Sequence, residues 1–212
     1  VRVTILQPCF YPPRAYFELV RSADVCLLLT DVAFARRQGV TRTRIRDEGW
    51  MTVPVNRPYS KRQRTGTTPL SKVVVRPFDE WLPGHCQRLL DVYVKKCIEG
   101  HPIFEDFCKL SECTDNLVHV LYRSIKSIMR YFNISTTLTD SREYRIAGLS
   151  GQKKVIELCR CLGATELILH TGKSQGYDPV AFQRKGVRLK YVEPNQAWNK
   201  LSILDEAFTW WH

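Results

Sequence analysis

The 212-residue chain has no apolar run near the roughly 18 residues that a membrane helix requires. No charged-then-apolar leader of the secretory kind stands at its start. Together these absences set the expectation of a cytoplasmic protein with no membrane partner. No internal repeat or low-complexity tract is found. The eight cysteines, at 9, 26, 86, 97, 108, 113, 159 and 161, form no CxxC pair and mostly sit inside apolar patterns. Structural zinc sites use tighter, paired spacing, so no metal is expected. The last shortage is acidic: 21 Asp+Glu against 32 Lys+Arg leave a net charge of +11.

Hydrophobic residues at 44% and charged residues at 25% are otherwise ordinary for a globular chain. The length suits one domain over 1–212, able to bury a sizeable core. The basic surplus is concentrated. Between Arg36 and Arg76 stand eleven Lys/Arg against Asp47 and Glu48, a segment charge of +9. Such a balance favours polyanionic partners: nucleic acid, anionic membrane or phosphorylated substrates.

The pattern of elements points to an α/β protein. "VRVTILQP", "DVCLLLT", "WMTVPV", "KVVVRP", "ISTTLT", "ELILH" and "VRLKYVEP" read as strands. "PRAYFELVRSA", "GQKKVIELCRCLG" and "DPVAFQRKG" read as helices between them. Residues 79–133 are helical and read as a subdomain inserted into the sheet; within it Leu117, Leu121, Ile125 and Ile128 share one face. Residues 56–71, without apolar periodicity, read as a mobile basic loop. The expected fold is a mostly parallel sheet flanked by helices.

In open α/β sheets ligands gather beyond the carboxyl ends of the strands. Three loops qualify: "QPCFYPP", "DVAFARRQGVTRTR" and "HTGKSQGYD". The first offers Gln7 and Tyr11, either as plugs of the core or at a pocket mouth. The third, which is not a P-loop, is either an ordinary Gly-rich turn or one in which Lys173 and Ser174 receive an anion. In the second, arginine outnumbers lysine, and the planar guanidinium suits bidentate phosphate contact. That marks Arg36, Arg37, Arg42 and Arg44 as phosphate ligands, against the alternative of a solvated strand edge. Arg57, Lys61, Arg62, Arg64 and Lys72, with Tyr59 among them, fit a nucleic-acid backbone. Asp31 and His85 are the candidate bases.

These motifs, taken together, resemble the WbqC-like family. "QPCFYPPRAYF" is similar to its opening "QPxYxPxxxYF" loop, and "SADVCLLLTDVAFARRQGVTRTRI" to the block that follows. "WMTVPV", the Trp81–His85–Tyr93 helix, "LGAT" at 162–165 and "LSILDEAF" at 201–208 continue the likeness in order over nearly the whole chain. Thr30, Ala33 and Thr41 stand where the family pattern has Asp, Gln and Asn; where those positions touch substrate, the resemblance implies a substrate different from a typical relative's.

The resemblance implies a transferase. One branch of the family is linked to acyl or aminoacyl transfer onto nucleotide-linked sugars in surface-polysaccharide synthesis. Another is similar to bacteriophage amino acid:DNA transferases, which attach an amino acid such as glycine to phosphate-activated 5-hydroxymethyluracil in double-stranded DNA. The localised charge favours the second, because a duplex presents many phosphates. Base flipping would bring the 5-methylene carbon to the nucleophile. On this reading Arg42 and Arg44 neutralise the leaving phosphate, Gln7 and Tyr11 meet the flipped uracil, and Asp31 or His85 takes the amine's proton. The cytoplasm would then be that of the host cell. No cofactor is called for. A nonenzymatic DNA-binding accessory is the remaining alternative.

Overall fold

A computed structural model describes residues 1–34, 39–46, 49–56, 68–93, 98–146, 148–171, 176–193 and 201–209. The chain divides into two compact units. The first comprises Val1–Gln7, Ala15–Thr30 and Ile134–Asn199; the second comprises Pro8–Arg14, Asp31–Asn133 and Lys200–His212.

The first unit carries a five-stranded parallel sheet. Its strands are β1 (Arg2–Leu6), β2 (Val25–Leu28), β5 (Thr137–Asp140), β6 (Glu166–His170) and β7 (Arg188–Val192). They lie in the order β5-β2-β1-β6-β7, all neighbours parallel. The chain therefore builds outward from β1 through β2 to β5, then returns to the other side of β1 for β6 and β7. That reversal makes the gap between β1 and β6 the topological switch point of the sheet.

Helices cover both faces of this sheet. Val3 and Leu167 point to one face, where Val155, Cys159 and Phe182 of helices α5 (Gly151–Cys161) and α6 (Pro179–Gln183) complete an apolar cluster. Ile168, one residue on and so on the opposite face, packs with Leu19 of helix α1 (Arg14–Ser22) and with Ala23. Burial on both sides explains the apolar run Leu167–Leu169 within β6. Asp140 closes β5 and opens a 3-10 turn through a capping box with Glu143.

The second unit holds an antiparallel ribbon, β3 (Arg42–Arg44) with β4 (Trp50–Thr52). Beside it stand helices α2 (Leu82–Val92), α3 (Pro102–Cys108), α4 (Leu117–Tyr131) and α7 (Ile203–Thr209). Asn116 caps α4 by accepting from the Val118 N–H at 2.9 Å, and Leu117, Leu121, Ile125 and Ile128 are all fully buried. Two expectations change here. "KVVVRP" is not a regular strand: Leu70–Lys72 is a 3-10 turn, and Val74 and Val75 make isolated bridges to Asn116 and Val55. Conversely, Arg42–Arg44, read as part of a loop, is a strand, because Trp50–Thr52 supplies an antiparallel partner remote from it in pattern.

Candidate nucleic-acid interface

The ribbon sorts its residues by face. Thr43, Ile45, Met51 and Val53 point inward and are buried, whereas Arg42, Trp50 and Thr52 are exposed and Arg44 is half-buried. This is the period-two alternation of a half-buried antiparallel pair. Arg42 pairs with Thr52 and Arg44 with Trp50. The Arg42 guanidinium lies over the Trp50 ring, 4.4 Å from its centroid. An arginine stacked in this way is held by a cation–π attraction while its N–H edge remains in its own plane.

Helix α2 secures the other strand. Arg88 Nη1 donates to the Trp50 carbonyl at 2.9 Å, and His85 Nε2 meets the Thr52 carbonyl at 3.0 Å. Gly49 makes room for this arrangement, since a Cβ there would fall 1.6 Å from Arg88 Nη2. A carbonyl can only accept, so neutral His85 carries its proton on Nε2 and its lone pair on Nδ1. Burial lowers the His85 pKa below 6.5, outweighing the Thr52 contact that raises it, and the Arg88 charge lowers it further. The imidazole is therefore neutral at pH 7. Trp81 stands just before α2 without capping it through its side chain, and its ring meets that of His85 edge-on at 5.2 Å.

The remaining arginines of the run differ. Arg46 pairs with Asp205 at 3.2 Å, and the Tyr93 hydroxyl donates to the same carboxylate oxygen. It thus ties the end of β3 to α7. Arg36 and Arg37 lie outside the described residues, as do Arg57, Lys61, Arg62, Arg64, Lys173 and Ser174 and most of the 56–71 segment. Lys72 is exposed at the end of its 3-10 turn.

Tyr11 requires a correction. It is fully buried, stacked on Phe107 at 5.4 Å and edge-on to Phe10 at 5.0 Å. Reaching a pocket mouth would require opening the aromatic core, so the core-plug alternative holds. Its backbone sits at φ 39°, a conformation that costs a bulky residue about 1–3 kcal/mol. Two hydroxyls hold it there: Thr43 Oγ1 and Ser202 Oγ donate to the Tyr11 carbonyl at 2.7 and 3.0 Å. Thr43, between the two outward arginines, thereby anchors the ribbon from beneath.

Elsewhere, Gln7 follows β1 and is half-buried in the first unit, and Asp31 is half-buried in the second. Thr30, standing where the family pattern has Asp, donates to Asp140 at 2.5 Å. Burial would raise the Asp140 pKa, but hydrogen bonds from Arg142 and Thr30 outweigh it and lower the pKa instead. His170 ends β6 at the switch point, and its Nε2 meets the Ala15 carbonyl at 2.8 Å. Its buried Nδ1 has no partner among the described residues. Sequence reasoning passed over His170 and Trp50; the available signals were a polar tip on a buried strand and a tryptophan opening one. Among the described residues no three His, Cys, Asp or Glu side chains converge as metal ligands. Among those residues, too, no helix is long and apolar enough to cross a membrane.

Residues 7–209 match the WbqC-like protein family. The chain is also similar to the uncharacterized protein Rv1507c of Mycobacterium tuberculosis, with 26% identity over 226 aligned residues. That alignment covers 98% of this chain and 93% of the relative. No solved structure matches it.

Proposed function

The chain belongs to the WbqC-like protein family, and on that premise we propose that it is a DNA-modifying transferase. It installs an amino acid, glycine as the leading case, on phosphate-activated 5-hydroxymethyluracil in double-stranded DNA. The observation that supports this reading most is the outward face of the β3–β4 ribbon, which joins Arg42 and Arg44 to an exposed tryptophan and to His85 at its edge. A duplex offers that face many phosphates and bases, whereas a sugar nucleotide offers one pyrophosphate.

The chemistry is a displacement. The amine nitrogen forms a bond to the 5-methylene carbon of a flipped uracil, and the carbon–oxygen bond to the phosphate breaks. The phosphate leaves with the electron pair. Arg42 and Arg44 neutralise its charge, a role in which fixed cations stabilise the transition state more than the ground state. The amine's proton passes to a base. Nδ1 of neutral His85 has a lone pair suited to this role, and Asp31 holds the ammonium form of the amine or competes as the base. Arg36 and Arg37, in the same unit as Arg42 and Arg44, are further phosphate ligands on this reading. Arg57, Lys61, Arg62, Arg64 and Lys72 grip the DNA backbone.

The test is incubation of phosphomethyluracil-containing duplex with glycine and the protein, followed by nucleoside mass spectrometry. A glycine adduct that depends on His85 or Asp31 is the expected outcome. Absence of any adduct across a panel of amino acids would sink the reading. Tight binding of a sugar nucleotide without duplex affinity would direct the protein to sugar acylation instead.

A further inference from the structure

The buried position of Tyr11 leaves the flipped base without the aromatic partner first expected for it. Trp50 has the properties that Tyr11 lacks. The residue is 48% exposed, more than any other aromatic among the described residues, and it lies on the same ribbon face as Arg42 and Arg44. Its backbone is fixed on both sides: Arg44 pairs across the ribbon, and Arg88 takes its carbonyl. An exposed indole is costly to leave in water, and here nothing apolar among its strand neighbours shields it. Arg42 and Arg44 instead surround it with positive charge.

We propose that Trp50 is a stacking platform for an unpaired nucleobase, with the Arg42 guanidinium as its cationic backing. The Arg42 stack at 4.4 Å occupies one side of the indole. A base laid on the remaining surface meets a ring held in place rather than a mobile one. The guanidinium donates hydrogen bonds in its own plane, so stacking on Trp50 leaves those donors directed at the phosphate of the same nucleotide. One nucleotide can thus be held at both ends, its base by Trp50 and its phosphate by Arg42. Every nucleobase has a π-face, so this contact recognises the unpaired state and not the base identity. The inference rests on the DNA reading above and assigns Trp50 the role of retaining an extrahelical nucleotide.

Fluorescence-anisotropy titrations separate the two claims. The probes are a fully paired duplex and the same duplex with one unpaired thymine. Wild type should prefer the bulged duplex, and Trp50→Ala should reduce that preference by about 5- to 150-fold, the range for loss of one stacked base. Affinity for the paired duplex should fall far less, by no more than the freeing of Arg42 from the ring accounts for, and the salt dependence, set by the lysines and arginines, should change little. Trp50→Phe should keep most of the preference. If Trp50→Ala binds the bulged duplex as tightly as wild type, the platform is wrong while DNA binding stands. If wild type binds neither duplex, the DNA reading fails first. Photocrosslinking with 5-iodouracil at the unpaired position gives a readout on the unmutated protein: an adduct on Trp50 supports the platform, and adducts confined to other residues overturn it.

Discussion

Thr43 shows how much one hydroxyl carries in this protein. It sits between Arg42 and Arg44, is nearly fully buried, and donates to a carbonyl whose residue is held at positive φ. Removing the hydroxyl leaves that carbonyl with Ser202 as its side-chain donor among the described residues and places a methyl against it. Thr43→Val should therefore destabilise by about 0.5–1.5 kcal/mol, the net loss of one hydrogen bond, because Ser202 still satisfies the carbonyl. Chemical denaturation measures this, and a loss below the error of the method would show that the strained turn does not depend on the ribbon. Arg42→Ala, by contrast, removes an exposed side chain. It should leave stability nearly untouched and lower turnover, so the pair of variants separates scaffold from chemistry.

At the scale of elements, helix α3 depends on an unusual cap. His101 is fully buried and its Nδ1 accepts from the Ile103 N–H at 3.2 Å, which only an unprotonated nitrogen can do. Burial lowers its pKa below 6.5, outweighing a backbone contact that raises it. The sign follows from linkage. As pH falls, the unfolded chain takes up the proton before the folded one. The contribution is therefore fully present above pH 6.5 and is lost as pH falls through the folded value. His85 adds in the same direction. Denaturation midpoints should be flat above neutrality and decline on acidification. His101→Asn should flatten part of that decline, because asparagine caps helices without titrating. In the Gly49 turn, Gly49→Ala should push Arg88 off the Trp50 carbonyl, which the arginine side-chain resonances would report.

For the whole molecule, charge decides the expected behaviour. A net +11 with a +9 segment predicts duplex binding that weakens steeply with salt. Each lost phosphate contact should reduce the slope of log K against log salt by about 0.9, so Arg42→Ala with Arg44→Ala should reduce it by about 2. Arg46→Ala should change it less, since Arg46 is engaged by Asp205. A slope for the double variant no lower than that of Arg46→Ala would remove the ribbon from the DNA interface.

Much of this architecture was legible before the fold was known. The continuous apolar run of β2 announced a buried strand, and the spacing of Leu117, Leu121, Ile125 and Ile128 announced α4. These signals are local: each depends on one element's burial and repeats within it. The motifs that carry the family resemblance are likewise contiguous stretches of chain. The ribbon was not legible, because two of the three residues in β3 are arginines and its inward contact is a threonine. Its strand character comes from pairing with Trp50–Thr52, and its anchor is the carbonyl of Tyr11, 32 positions away. Sequence alone determined the alternating α/β plan and the concentration of positive charge. The tertiary structure decided which arginines face outward, which one is bound to Asp205, and that Tyr11 belongs to the core while Trp50 meets solvent. Those outcomes depend on non-local pairing and burial, and residue identity does not encode either one by itself.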